Sequence, residues 1–385
     1  MPARDLVLLT GATGMVGFRI LVRLLESGYY VRAAVRTQAG FDRIRALPTV
    51  HKYANQLSSS VVPEITQPLA YFEAIRGAKF VVHVASPISC PNLTSEGDYH
   101  EHIIRPAMRG TTNLLEAAHC AKSVKRVVIT GSLMSIVSNK KRLTSGVLID
   151  GNYTHKASQT APRAEDAKHE CSQLSVLLLI LCFPTYLTEN TLDVDLNGSI
   201  NQSNAYIRSK ALAFTAIQDF LRDKTPQFTV VNILPVFIIG RDDKITGVKS
   251  YYSKGTNSFL MGPLLGIKNH ITVMGGNSVH LDDVAELHVR ALDENLTTGN
   301  ETIIAAAGPM RWSDCFDIVQ RRFPKECAEG VFPFDDILRP STSAVNVDNS
   351  KAKRLLGREF KTYEEQVVSV VEHYLELRGQ RAQNT

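Results

Sequence analysis

The chain has 385 residues and a net charge of +5, with 44% hydrophobic and 21% charged residues. These proportions belong to a globular protein with one large core, or a main domain plus a smaller one, and they exclude a disordered or fibrous chain. The densest basic cluster, Lys140-Lys141-Arg142, lacks the interleaved aromatics of a nucleic-acid surface, so no nucleic-acid partner is expected.

The apolar run Leu6 to Leu9 predicts a buried strand. It begins too close to the first residue to leave room for a cleavable leader, so the expected location is cytoplasmic. Gly11, Gly14 and Gly17 follow with the spacing Gly-x-x-Gly-x-x-Gly. An amphipathic helix through Ile20, Leu21, Leu24 and Leu25 comes next, with Gly28 as its stop. Glycines between a strand and a helix allow a tight turn and close approach to a pyrophosphate at the helix N-terminus, so a dinucleotide is expected there.

A second strand, Tyr30 to Val35, ends in Arg36. An acidic residue at that place grips the ribose hydroxyls of an unphosphorylated dinucleotide. An arginine suits a 2′-phosphate instead, so NADPH is the expected cofactor, with Arg32 and Arg43 as nearby competitors for the role.

Phe80 to Ala85 predicts a further buried strand, broken by Ser86-Pro87, and residues 110–118 a helix. Arg126 to Thr130 is the next strand and runs into Gly131-Ser132; Phe228 to Leu234 is another, ending in Pro235. Alternating strands and helices imply an α/β fold, a Rossmann-type doubly wound parallel sheet, with ligands at the carboxyl ends of the strands. Ser132 is thereby placed at the mouth of the cofactor crevice.

Tyr206 has a lysine, Lys210, four residues later, and no other tyrosine does. Helical spacing puts both on one face, where an ammonium favours the phenolate and lowers the tyrosine pKa. His280, Asp282 and Asp283 read as a loop entering a helix, with an aspartate at or near its N-cap; Ser313 is expected to cap another helix. Residues 364–377 predict an amphipathic terminal helix used for packing. Six cysteines (90, 120, 171, 182, 315, 327) show neither a Cys-x-x-Cys pair nor metal-ligand spacing, so reduced thiols and no metal are expected.

As a set, these segments resemble an extended short-chain dehydrogenase/reductase of the branch containing plant dihydroflavonol and cinnamoyl-CoA reductases and yeast-type ketone and aldehyde reductases. The matching pieces are Thr10 to Gly17, Val31 to Arg36, His83 to Pro87, Thr130 to Ser132, Tyr206 to Lys210, Val279 to Ala285 and Asn346 to Ala352. The resemblance implies Tyr206 as general acid, Ser132 as the hydroxyl orienting the carbonyl oxygen, and Lys210 as the group holding the nicotinamide ribose. It also implies dinucleotide contacts from Gly11, Thr13, Gly14, Met15, Val16, Gly17 and Arg36, from Glu64 and Ile65 beside the adenine, and from Ala85, Ser86 and Pro235 at the nicotinamide half. Two departures stand out: Glu64 replaces the usual aspartate, and Gly131 replaces the middle serine of Thr-Ser-Ser.

The expected organisation is a cofactor-binding domain over residues 1–235, rejoined by 278–305, and a smaller substrate-binding lobe from 236–277 and 306–385. The expected reaction is NADPH-dependent reduction of a ketone or aldehyde, with a polyketide or other secondary-metabolite ketone as substrate class, by a monomer or homodimer. The rival readings are a nucleotide-sugar or steroid-type epimerase or dehydrogenase, and a non-catalytic NADPH-binding sensor or scaffold.

Ser132 and Tyr206 stand 74 positions apart, about twice the separation of the resembling family. The excess, residues 162–196, holds the apolar run Leu174 to Leu187, fourteen residues interrupted by Pro184 and shorter than the roughly 20 that span a bilayer. It reads either as an inserted lid or membrane-surface anchor, or as a short translated intron that would leave this chain poorly folded or inactive.

Overall fold

A computed structural model describes residues 5–87, 93, 95–136, 148–149, 202–253, 255–267 and 273–383. The 162–196 segment, its apolar run and the Lys140-Lys141-Arg142 cluster lie outside the described residues.

In chain order the strands are β1 (Leu6–Thr10), β2 (Tyr30–Val35), β3 (Leu57–Val61), β4 (Phe80–His83), β5 (Arg126–Thr130), β6 (Leu148–Ile149) and β7 (Thr229–Pro235). They continue as β8 (Phe237–Ile239), β9 (Val273–Gly275), β10 (Asn277–His280), β11 (Glu301–Ala305), β12 (Gly308–Pro309), β13 (Ser341–Ser343) and β14 (Asn346–Val347). The helices that position the site are α1 (Met15–Glu26), α2 (Gln38–Arg45), α3 (Arg105–Ala121), α4 (Gln202–Lys224), α5 (Leu281–Arg290), α6 (Asp314–Arg322) and α7 (Tyr363–Gln383).

Seven strands form one parallel sheet in the order β11-β7-β5-β4-β1-β2-β3. The order reverses between β1 and β4, so a crevice opens at their carboxyl ends. Helices cover both faces, which is why the strands read as continuous apolar runs. On one face α1 and α5 pack Phe18, Ile20, Leu24, Val284 and Leu287 against Val7, Leu9, Val128 and Val231; on the other, α3 and α4 bring Leu114, Leu115, Ile217 and Phe220 to Leu8, Val81, Val127 and Val230. Each fully buried side chain of this size contributes about 1.5–3 kcal/mol.

α1 ends where Gly28, at φ +85°, donates its N–H to Leu25 O while Tyr29 donates to Leu24 O; a left-handed glycine closes the last turn.

Beyond β7 a separate core gathers Tyr251, Leu260, Trp312, Phe316, Phe332 and, from α7, Val367, Val370 and Val371. A three-stranded sheet, β12-β10-β8, lies beside it, and β13-β9 and β14-β6 form two-stranded pairs. One local detail differs from the sequence reading. Ser313 occupies the N-cap position of α6 without a side-chain capping bond, because its backbone is already helical at φ −60° and ψ −25°. At α5 the N-cap is His280, whose ring accepts from Asp282 N, and Asp282 and Asp283 stand in the first turn, near the cap as expected.

Candidate active site

The glycine turn is shaped by close approach. Gly11 sits at φ +76°, and a Cβ there would lie 2.7 Å from Ala85 N, so the loops after β1 and β4 touch at the reversal point of the sheet. A Cβ on Gly17 would lie 2.1 Å from Gly11 O, and Gly14 N donates to Gly11 O at 2.9 Å. Gly14 caps α1 with no side-chain bond, and Met15 and Val16, both partly buried, begin the helix. Thr13 and Gly14 are exposed. Uncapped first-turn N–H groups beside a turn without Cβ atoms fit a pyrophosphate.

Thr10, the last residue of β1, fixes the opposite wall. Its hydroxyl oxygen accepts Val84 N and Ala85 N, both at 3.1 Å, and its proton goes to His83 Nδ1 at 2.8 Å. His83 is buried on β4, and burial pushes it down to about 3, so it stays neutral. Sequence reasoning assigned no role to Thr10 or His83. Their signal was present in the two motifs that contain them, but the bond between them joins different strands.

At the other end of the crevice Arg36 is exposed just past β2, and among the described residues it makes no hydrogen bond or ion pair. Arg32 is spent on Ala74 O at 2.9 Å and Arg76 O at 2.7 Å. Glu64 turns its carboxylate onto Thr66 N and Oγ1 at 2.9 and 2.7 Å; these bonds, and then the charge of Arg36, hold it below the ordinary carboxylate range. Ile65 packs over Gly110 of α3, where a Cβ would come within 2.7 Å of its Cδ1. Asn113 Nδ2 donates to Ile65 O at 2.8 Å and Gln67 O at 2.9 Å, so α3 holds the 64–67 loop in place.

Ser132 follows β5 and is 6% exposed. Its oxygen accepts Met134 N at 3.2 Å, which leaves its proton for the phenol of Tyr206, to which it is hydrogen-bonded. Tyr206 and Lys210 share a face of α4, with Lys210 Nζ 5.8 Å from the phenol ring centroid. Burial pushes the Tyr206 phenol above its ordinary 10.0, against the lowering influence of the Ser132 bond. The expectation that the lysine lowers this pKa is corrected here: desolvation of the phenolate dominates. Lys210 is itself buried and pulled down to about 8 by that burial.

Ala85, Ser86, Gly131 and Lys210 line one cavity, together with His83 and Asn232. Pro235 is buried at the end of β7, paired with Ala305, and is not part of that wall. Thr130 donates to His288 Nε2 at 2.7 Å, and His288 Nδ1 donates to Val284 O at 2.7 Å, which locks the end of β5 onto α5.

His280, Asp282 and Asp283 lie apart from this centre. Asp282 pairs with Arg19 of α1 and Lys361, and Asp283 with Arg358, a set of ties between α1, α5 and the start of α7. Among the described residues no group of three or more His, Cys, Asp or Glu gathers as a metal requires, and no helix is long and apolar enough to cross a membrane.

The NAD dependent epimerase/dehydratase family matches residues 7–157. Ketoreductase CTB6 of Cercospora beticola is 31% identical over 97% of this chain and 96% of its own length. NAD-dependent epimerase/dehydratase ALT6 of Alternaria alternata is 33% identical over 95% of this chain and 96% of its own. Among solved structures, Gre2 from Candida albicans in complex with NADPH superposes with a TM-score of 0.74 at 23% identity, covering 97% of this chain and 99% of that one.

Proposed function

The chain belongs to the NAD-dependent epimerase/dehydratase family of extended short-chain dehydrogenases/reductases, and on that premise we propose that it is an NADPH-dependent reductase converting a ketone or aldehyde to the alcohol. One observation carries the reading: Ser132 and Tyr206 are hydrogen-bonded at the carboxyl end of the sheet, with Lys210 buried one helical turn away. The ketoreductase name of one relative and the NADPH of the Gre2 complex point the same way.

The residues present fit the cofactor. Gly11, Thr13, Gly14, Met15, Val16 and Gly17 surround the seat for the pyrophosphate, and Arg36 stands free for a 2′-phosphate. Glu64 and Ile65 take the adenine side; Ala85, Ser86 and Lys210 take the nicotinamide half, with Pro235 buried behind it at the end of β7. NADPH supplies the hydride. Tyr206 gives its proton to the carbonyl oxygen, and the Ser132 hydroxyl donates to the same oxygen as negative charge develops there. Lys210 holds the ribose side of the site, one helical turn from Tyr206.

Residues 1–235 with 278–305 form the cofactor-binding domain in this proposal, and 236–277 with 306–385 the substrate-binding lobe. The pairing of β11 with β7 and the separate core around Trp312 support that division. We assign a secondary-metabolite ketone as substrate class, a cytoplasmic setting, and a monomer or homodimer as the working form.

The test is loss of NADPH absorbance across a panel of ketones and aldehydes. Turnover with NADPH supports the reading. Tightly held NAD that copurifies and does not exchange supports an epimerase instead, and NADPH binding with no oxidation across the panel supports a sensor.

A further inference from the structure

Asn232 lies at the middle of β7, 2% exposed, and neither its Nδ2 nor its Oδ1 has a hydrogen-bond partner among the described residues. A carboxamide left unpaired in a core costs on the order of 1–3 kcal/mol, so its retention calls for a ligand. Alternation along β7 puts it on the face of Val230, towards α3 and α4. There it lines the same cavity as Lys210. Gly131 makes the room: a Cβ on residue 131 would fall 2.9 Å from Asn232 Oδ1 and 2.4 Å from Leu234 Cδ2.

The cavity measures about 20 Å³, enough for one water, which needs roughly 10–15 Å³ and two to four polar partners. Three of its other polar walls are already engaged: His83 with Thr10, Thr111 with Ala107 O, and Thr130 with His288. Asn232, Lys210 and the half-buried Ser86 at the rim remain, and Asn232 is the buried one of the two uncharged groups; no carboxylate pairs with Lys210 among the described residues. The titratable groups facing Lys210 are Tyr206 on its own helix and neutral His83 on β4; α3, β5 and β7 present the uncharged Thr111, Thr130 and Asn232.

We propose that Asn232, through one water held in this cavity, fixes the Lys210 ammonium in place and so acts as a positioning residue for the Tyr206 centre. The inference rests on the reading that Lys210 belongs to a reductase site. A carboxamide oxygen and a water solvate the charged lysine, and they offset part of the burial that pulls its pKa down. Their loss lowers the pH at which the ammonium gives up its proton.

The experiment compares the full-length chain with Asn232→Val, whose branched side chain suits a strand, and Asn232→Asp. Two pH profiles are recorded: kcat with NADPH, and NADPH binding followed by the fluorescence of the bound nucleotide. Asn232→Val is expected to move the high-pH limb down by about one unit, with roughly fivefold lower kcat at pH 8 and KM for the carbonyl within about twofold. Asn232→Asp is expected to move the limb up, because a carboxylate favours the ammonium. Limbs that stay within about 0.2 unit of the parent in folded variants overturn the proposal; if Asn232→Val does not fold, an unmoved limb in Asn232→Asp is sufficient. A parent that binds NADPH but reduces no carbonyl defeats the reductase reading alone, and the binding profiles still decide the role of Asn232.

Discussion

Ser132 is hydrogen-bonded to the Tyr206 phenol although 74 positions separate them in the chain. The bond joins the end of β5 to the first turns of α4 and sets two proton donors side by side. Tyr206→Phe removes one donor while keeping the ring, so kcat is expected to fall by about 10²–10⁴-fold with NADPH binding preserved. Ser132→Ala is expected to cost about 10²–10³-fold in kcat, as loss of one oxyanion donor does. Steady-state rates alongside NADPH titration check both.

Lys210 carries a stability penalty set by its burial. Its folded pKa, about 8, lies below the ordinary 10.5, so the unfolded chain binds the extra proton between those values. The penalty is therefore full below about pH 8, and stability rises with pH until it vanishes above the ordinary value. Lys210→Met should unfold at higher denaturant than the parent at pH 7, by at most about 3 kcal/mol, while losing turnover. Denaturation at pH 7 and pH 10 reads the difference and its shrinkage.

Among the described residues Arg36 makes no hydrogen bond or ion pair at the adenosine end, whereas Arg32 is committed to backbone carbonyls. Replacing Arg36 by Ala should weaken NADPH binding about 10- to 100-fold, the worth of a charged hydrogen bond, and leave NADH within about twofold. Competitive titration of the two nucleotides measures the ratio.

Gly131 replaces the serine usual in the resembling family because Leu234 and Asn232 fill the space above it. Restoring that serine, Gly131→Ser, should overpack the site and destabilise the chain by about 1–3 kcal/mol. A lowered melting temperature checks it; an unchanged one contradicts the packing argument.

Asp282 ties α1 to the start of α7 through Arg19 at 2.5 Å and Lys361 at 2.7 Å. Burial alone would raise its pKa, but the Lys361 bond and the Arg19 charge outweigh it, so the carboxyl sits well below its ordinary 3.8. The stabilisation is present above that value and is lost as pH falls below it. Asp282→Asn should cost on the order of 1–3 kcal/mol at pH 7, with the gap from the parent closing in acid. Unfolding at pH 7 and at pH 3 tests the sign.

The glycine turn, α1 with its Gly28 stop, and the Tyr206/Lys210 face were legible because each depends on residues a few positions apart. β3 was not: Ser58 to Ser60 carry no apolar alternation, and the segment becomes a strand only by pairing with β2. Thr10 and His83 belonged to recognised motifs, yet their bond needs β1 and β4 to be neighbours. Asn232 read as one residue of an apolar strand.

The amino-acid sequence by itself determined the reaction class, because strand periodicity, glycine spacing and a one-turn Tyr-Lys separation are local properties of the backbone. Only the tertiary structure decided what those groups meet. The strand reversal between β1 and β4 brings Gly11 against Ala85, and burial of α4 against the sheet sets Tyr206 on Ser132 and Lys210 at a cavity shared with Asn232. Burial also set the direction of the Tyr206 pKa, since desolvating a phenolate outweighs a hydrogen bond, and no spacing of residues records how much water a fold excludes.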